Sequence, residues 1–83
     1  MGDVIVVFKI MPENPDKVDE TKESLQKLKP QRLEEEEIAF GLKALIFTTI
    51  IPDEGGTIDK LENDLKRAKN VKSVETVTVS RSL

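Results

Sequence analysis

The chain contains no cysteine, histidine, tryptophan or tyrosine, and each absence removes a class of chemistry. Without cysteine there is neither a disulfide framework nor a thiolate for a metal. Without histidine the Ser-His-Asp and Cys-His constellations and the imidazole general bases cannot be built, which leaves Asp, Glu, Lys, Ser and Thr for any proton transfer. The three aromatics, Phe8, Phe40 and Phe47, are too few for the stacking platform by which small sheet proteins hold RNA bases. No apolar run approaches the roughly 20 residues of a membrane-spanning helix. The opening Met1-Gly2-Asp3 carries acid where an export signal needs positive charge, so a cytoplasmic location away from membranes is expected. A formal charge of -3 and a pI near 5.0 argue against sequence-independent nucleic-acid binding, which needs clustered Lys and Arg.

What is present suits one small domain spanning residues 1–83. Hydrophobic residues make up 37% and charged residues 35% of the chain, too apolar and too periodic for disorder. Val4-Ile5-Val6-Val7-Phe8-Lys9-Ile10 reads as a first strand, apolar on both sides until Lys9, with Val4, Val6, Phe8 and Ile10 as the core face. Two prolines, Pro12 and Pro15, end it. A helix follows from about residue 15, with Asn14 or Asp16 as N-cap and Val18, Thr21, Leu25 and Leu28 on one stripe; Glu23 and Lys27 are spaced for an i,i+4 pair, and Pro30 closes the segment.

Residues 31–37 offer only Leu33 among charges, a weak second strand. Residues 42–51 form a third strand in which Lys43 is the single charge. Thr57 is placed to cap a second helix whose Ile58, Leu61, Leu65 and Ala68 repeat at three, four and three. Residues 74–80 alternate as a fourth strand, with Val77 and Val79 on one face.

The order strand, helix, strand, strand, helix, strand, with the apolar strands first and third, predicts an α+β, ferredoxin-like βαββαβ sandwich. Its antiparallel sheet should have the order 4-1-3-2 and both helices on one face. Ile5, Val7, Ala44, Ile46, Thr48 and Ile50 then face away from the helices, an apolar strip of the kind that marks an interface. A partner or self-association through this open face is expected.

No cofactor or metal is expected. Gly55-Gly56-Thr57 matches neither the P-loop nor the dinucleotide fingerprint, and Asp53 and Glu54 beside it repel phosphate, so it reads as a turn. The run Glu34 to Glu37 reads either as a charged edge that blocks sheet-to-sheet aggregation or as an acidic patch that steers a basic partner. Alternation along a strand sends its carboxylates to opposite faces, poor geometry for a single metal site. Phe40, between that run and Gly41, supports two readings from the residues alone: a lid on the core or an exposed anchor.

The segment Ala39-Phe40-Gly41-Leu42-Lys43-Ala44-Leu45 behind the acidic run resembles the archaeal elongation factor 1-beta proteins, which are similar to the nucleotide-exchange domain of the eukaryotic factor. Met1-Gly2-Asp3-Val4, Lys9-Ile10-Met11-Pro12, Glu54-Gly55-Gly56-Thr57 and an ending at Leu83 carry the same resemblance. It implies a guanine nucleotide exchange factor that promotes GDP release from elongation factor 1-alpha and makes or breaks no bond itself. It also implies that Phe40 projects from one end of the domain into that GTPase, with Ala39, Gly41 and Lys43 beside it. Where the eukaryotic relatives have a penultimate lysine that reaches the magnesium site, this chain has Ser82, with Arg81 the nearest cation; either Arg81 substitutes or Phe40 acts alone. Without the resemblance, the residues support a ferredoxin-like interaction or small-molecule-sensing domain that dimerises through its sheet.

Overall fold

The structure, a computed structural model, describes residues 2–39 and 41–81. Four strands and two helices follow in the order β1 (Asp3–Pro12), α1 (Val18–Gln26), β2 (Arg32–Ala39), β3 (Leu42–Pro52), α2 (Thr57–Lys66) and β4 (Val71–Arg81). The strands form one antiparallel sheet in the order β2-β3-β1-β4. Read from the other edge, this is the 4-1-3-2 arrangement that the sequence pattern predicts. The two most apolar strands are central, where both of a strand's edges are paired and one face is packed beneath the helices.

Period-two alternation selects the core. Val4, Val6, Phe8 and Ile10 of β1 and Leu45 and Phe47 of β3 are buried beneath Leu25 of α1 and Leu65 of α2. Phe8 and Phe47 are register partners and meet edge to face, with ring centroids 6.3 Å apart, the geometry that sets a positive ring edge against a negative ring face.

The helix boundaries show how the caps are made. Asn14 accepts a hydrogen bond from the Asp16 amide at 2.9 Å, and Pro15–Lys17 form a 3-10 turn that leads into α1. Thr21, fully buried, donates its hydroxyl to the Lys17 carbonyl at 2.7 Å, with the Asn70 carbonyl within 3.3 Å. Asn70 has a φ of 68°, and its carbonyl also accepts from the Glu13 amide at 2.8 Å. The end of β1, the start of α1 and the entry to β4 are thus tied at one point. Helix α1 stops at Gln26, ahead of Pro30, because the chain turns left-handed at Lys29, where φ is 54°. Among the described residues Glu23 and Lys27 make no ion pair; the local pair at the start of this helix is Lys17 to Glu20 at 3.4 Å.

Two expectations about element ends are corrected. Thr57 is the first residue of α2 and not its cap; that position is Gly56, which gives no side-chain bond and needs a positive φ, 84°, a conformation natural to glycine. The second strand is longer than residues 31–37, because pairing with β3 supplies the order that its charged composition lacks.

Val77 and Val79 do not join the core and are 54% and 50% exposed. Register shifts separate Val7/Phe8 and Met11/Pro12 from regular pairing along β4, and the first leaves Val77 as an extra residue with no partner on β1. Val79 stands opposite Val6 but lies on an outer strand with solvent on its free side. Val71 and Val74 fill the core from β4 instead.

On the face away from the helices, Ile50 is 42% exposed and Ala44 fully buried, while Ile5, Val7, Ile46 and Thr48 are half-buried. The strip is therefore less open than its sequence pattern implies. Among the described residues no helix is long and apolar enough to cross a membrane.

Candidate partner-binding site

Strands β2 and β3 form a hairpin whose register pairs Glu37 with Lys43 and Ala39 with Leu42. Ile38 is the residue left over, a bulge that twists the strand end. Gly41, with a φ of 79°, ends the connection in the left-handed region that glycine enters without a Cβ penalty. Ile38 and Leu42, each 41% exposed, leave apolar side chains in solvent at the tip, flanked by charges on both strands. Two exposed apolar side chains at a strand end are open to a partner, as Ile50, Val77 and Val79 are elsewhere on the sheet.

A brace holds this tip to the body. Glu35 receives the Lys43 and Lys22 ammonium groups, each at 3.4 Å, so one carboxylate joins β2, β3 and α1. Hydrogen bonding from Lys43, and then from Lys22, lowers the Glu35 pKa from its ordinary value. Alternation divides the acidic run: Glu35, opposite Leu45, lies on the helix side, whereas Glu34 and Glu36, opposite Ile46 and Ala44, lie on the other. Arg32 pairs with Glu34 at 3.5 Å. The run is thus a charged edge with one member used structurally. Among the described residues no group of three or more Asp and Glu is arranged to hold a metal ion.

The residues singled out by sequence are not gathered in one place. Ala39, Gly41 and Lys43 sit together at the hairpin tip. Beside them the end of β1 forms a small cleft, about 140 Å³, with Met11, Pro12, Pro15 and Leu42 in its wall. Phe40 and Ser82 lie outside the described residues. Arg81 is at the other end of the sheet, opposite Val4 and 3.6 Å from the Asp53 carboxylate. Nine strand positions separate its level from that of Leu42, roughly 30 Å at the usual rise per residue, in a molecule whose long axis is 41 Å. Ile38, Leu42 and the Glu35 brace were not foreseen as site residues. An apolar residue on either side of Phe40-Gly41 in the sequence was the available signal for the first two.

The family model described as the EF-1 guanine nucleotide exchange domain matches residues 5–81. The chain belongs to that family. Elongation factor 1-beta of Methanoregula boonei is 37% identical over 96% of this chain and 98% of its own. The protein of that name from Methanosarcina barkeri is 41% identical over 98% and 99%, and the one from Pyrococcus abyssi 39% identical over 94% and 93%. Membership in the exchange-domain family therefore spans the whole fold, from the first central strand to the end of the last.

Proposed function

We propose that the chain promotes release of GDP from elongation factor 1-alpha during translation elongation, with the β2–β3 tip as its principal contact. The carrying observation is the hairpin tip itself: Ile38 and Leu42 exposed at the ends of β2 and β3, on a strand pair braced by Glu35. The exchange-domain family and the names of its relatives supply the reaction. They favour it over a ligand-sensing domain that dimerises through its sheet.

Exchange of this kind needs no bond-making by the factor. A rigid body that binds the nucleotide-free GTPase more tightly than the loaded one lowers nucleotide affinity by that difference, and by linkage the nucleotide lowers affinity for the factor equally. Four paired strands give the stiffness, and the tip gives the contact. The Phe40 ring is the anchor in this reading, Ala39 and Gly41 allow close approach, and Lys43 orients the partner. Arg81 makes a second, weaker contact at the far end.

Release of fluorescent GDP from the cognate elongation factor 1-alpha tests the assignment. Phe40→Ala should slow stimulated release at least tenfold, about 1.4 kcal/mol of coupling, with an unchanged circular dichroism spectrum. Undiminished release by that folded variant would remove the anchor.

A further inference from the structure

A groove of about 360 Å³ lies between the C-terminal ends of α1 and α2 and the turns that follow them. Its floor is Leu28 and Ala68, both packed against the core. Its walls carry Lys27, Arg67 and Lys69 with one carboxylate, Asp64. Elsewhere Lys17, Lys22, Arg32, Lys43, Lys66 and Arg81 each lie within 4.0 Å of an acidic group, whereas Lys9, Lys29, Lys60 and Lys72 form no such pair among the described residues. Among the described residues the three cations of the groove form no such pair and no side-chain hydrogen bond.

Unpaired like charges gathered over an apolar floor repel one another, and a concave wall concentrates their field outward. The groove continues into a recess that shares Lys27 and Lys69 and ends at Glu20, Glu23 and Asn70. Glu20 is already held by Lys17 at 3.4 Å, so at that end Glu23 is the carboxylate with no ion pair among the described residues, and the charge changes sign there.

We propose that this groove is a docking surface for an amphipathic helix of a partner protein. The apolar side chains of that helix rest on Leu28 and Ala68, its acidic half lies against Lys27, Arg67 and Lys69, and its basic end meets Glu20 and Glu23. A groove with an apolar floor is a usual seat for a helix whose anchors recur at three and four. A phosphate backbone fits poorly, because Asp64, Glu20 and Glu23 interrupt the positive track at the spacing where every phosphate needs a cation. The groove lies on the helix layer, apart from both the hairpin tip and Arg81, so the proposal stands or falls separately from the exchange reading.

The test uses the full chain, isotopically labelled for amide NMR, and an 18-residue synthetic helix as probe. The probe carries leucines at every third and fourth position, glutamates in its first half and lysines in its second. It should shift the amides of Lys27, Leu28, Arg67 and Ala68 on titration. The double variant Lys27→Glu/Arg67→Glu, folded by circular dichroism, should bind at least tenfold more weakly, and a probe with its leucines changed to serine should not bind. GDP release by the double variant should stay within twofold of the parent. Absence of shifts at millimolar probe, equal binding of a probe with every glutamate changed to lysine, or tighter binding of a 12-nucleotide oligouridylate at the same amides would each overturn the proposal. A loss of exchange in the double variant would overturn the separation of the groove from the exchange surface.

Discussion

Glu35 sits between two ammonium groups and is the one carboxylate of the acidic run that belongs to the architecture. Its pKa lies below its ordinary value of 4.5, through hydrogen bonds from Lys43 first and Lys22 second. A carboxyl whose folded pKa is depressed adds stability that is fully present above the unfolded value and is lost as pH falls through the folded one. Glu35→Gln should therefore lower the melting temperature at pH 7. The gap should narrow below about pH 4.5, close once the parent carboxyl is protonated, and shrink in high salt because the site is partly exposed. Thermal melts of parent and variant from pH 7 down to pH 2.5 measure this, and a gap that widened with acid would contradict the brace. Residues of this kind were the least legible in the sequence. Four adjacent glutamates look alike until the register with β3 decides which face each takes and which lysine each meets. Phe8 and Phe47 were legible because the alternation that buries them is written locally.

At the level of the element, the apolar stripe of α2 was readable and its cap was not. Leu65 is the fully buried member of that stripe, set against the strand residues beneath it. Leu65→Ala leaves a cavity in a core of this size and should cost about 2 to 5 kcal/mol, measured by urea unfolding with the m-value unchanged. A loss under 1 kcal/mol would mean that α2 closes over the gap.

The cap escaped sequence reading because serine and threonine are ordinary at that position, whereas here the chain geometry calls for a left-handed residue and Gly56 supplies it. Strand β4 teaches the same lesson. Its composition announces a strand, but two register shifts against β1 decide which valines go inward. A bulge depends on the partner strand, which no local pattern records. The order of elements, and with it the sheet topology, survived all of these local departures because it rests only on which strands are apolar on both faces.

Across the whole molecule, the tip and Arg81 occupy opposite ends of the sheet. Sites that far apart with no shared neighbour act additively, usually within about 0.5 kcal/mol. In the exchange assay Arg81→Ala should cost up to about fivefold, the worth of an exposed ion pair near 1 kcal/mol. Its effect combined with Phe40→Ala should be the product of the two single effects. A double variant no slower than Phe40→Ala alone would show that Arg81 makes no contact of its own.

The reach between those ends is set by the strands themselves, and that makes the sheet a gauge with a fixed graduation. One residue inserted into β1 would turn the core side of everything beyond it outward unless a bulge absorbed it, as at Val77 and Ile38. Regular lengthening therefore comes in steps of two residues, each about 6.6 Å, made in β1 and its neighbours together. The spacing of two footholds on a partner is thereby quantised, and no substitution on the surface of this protein can adjust it by less.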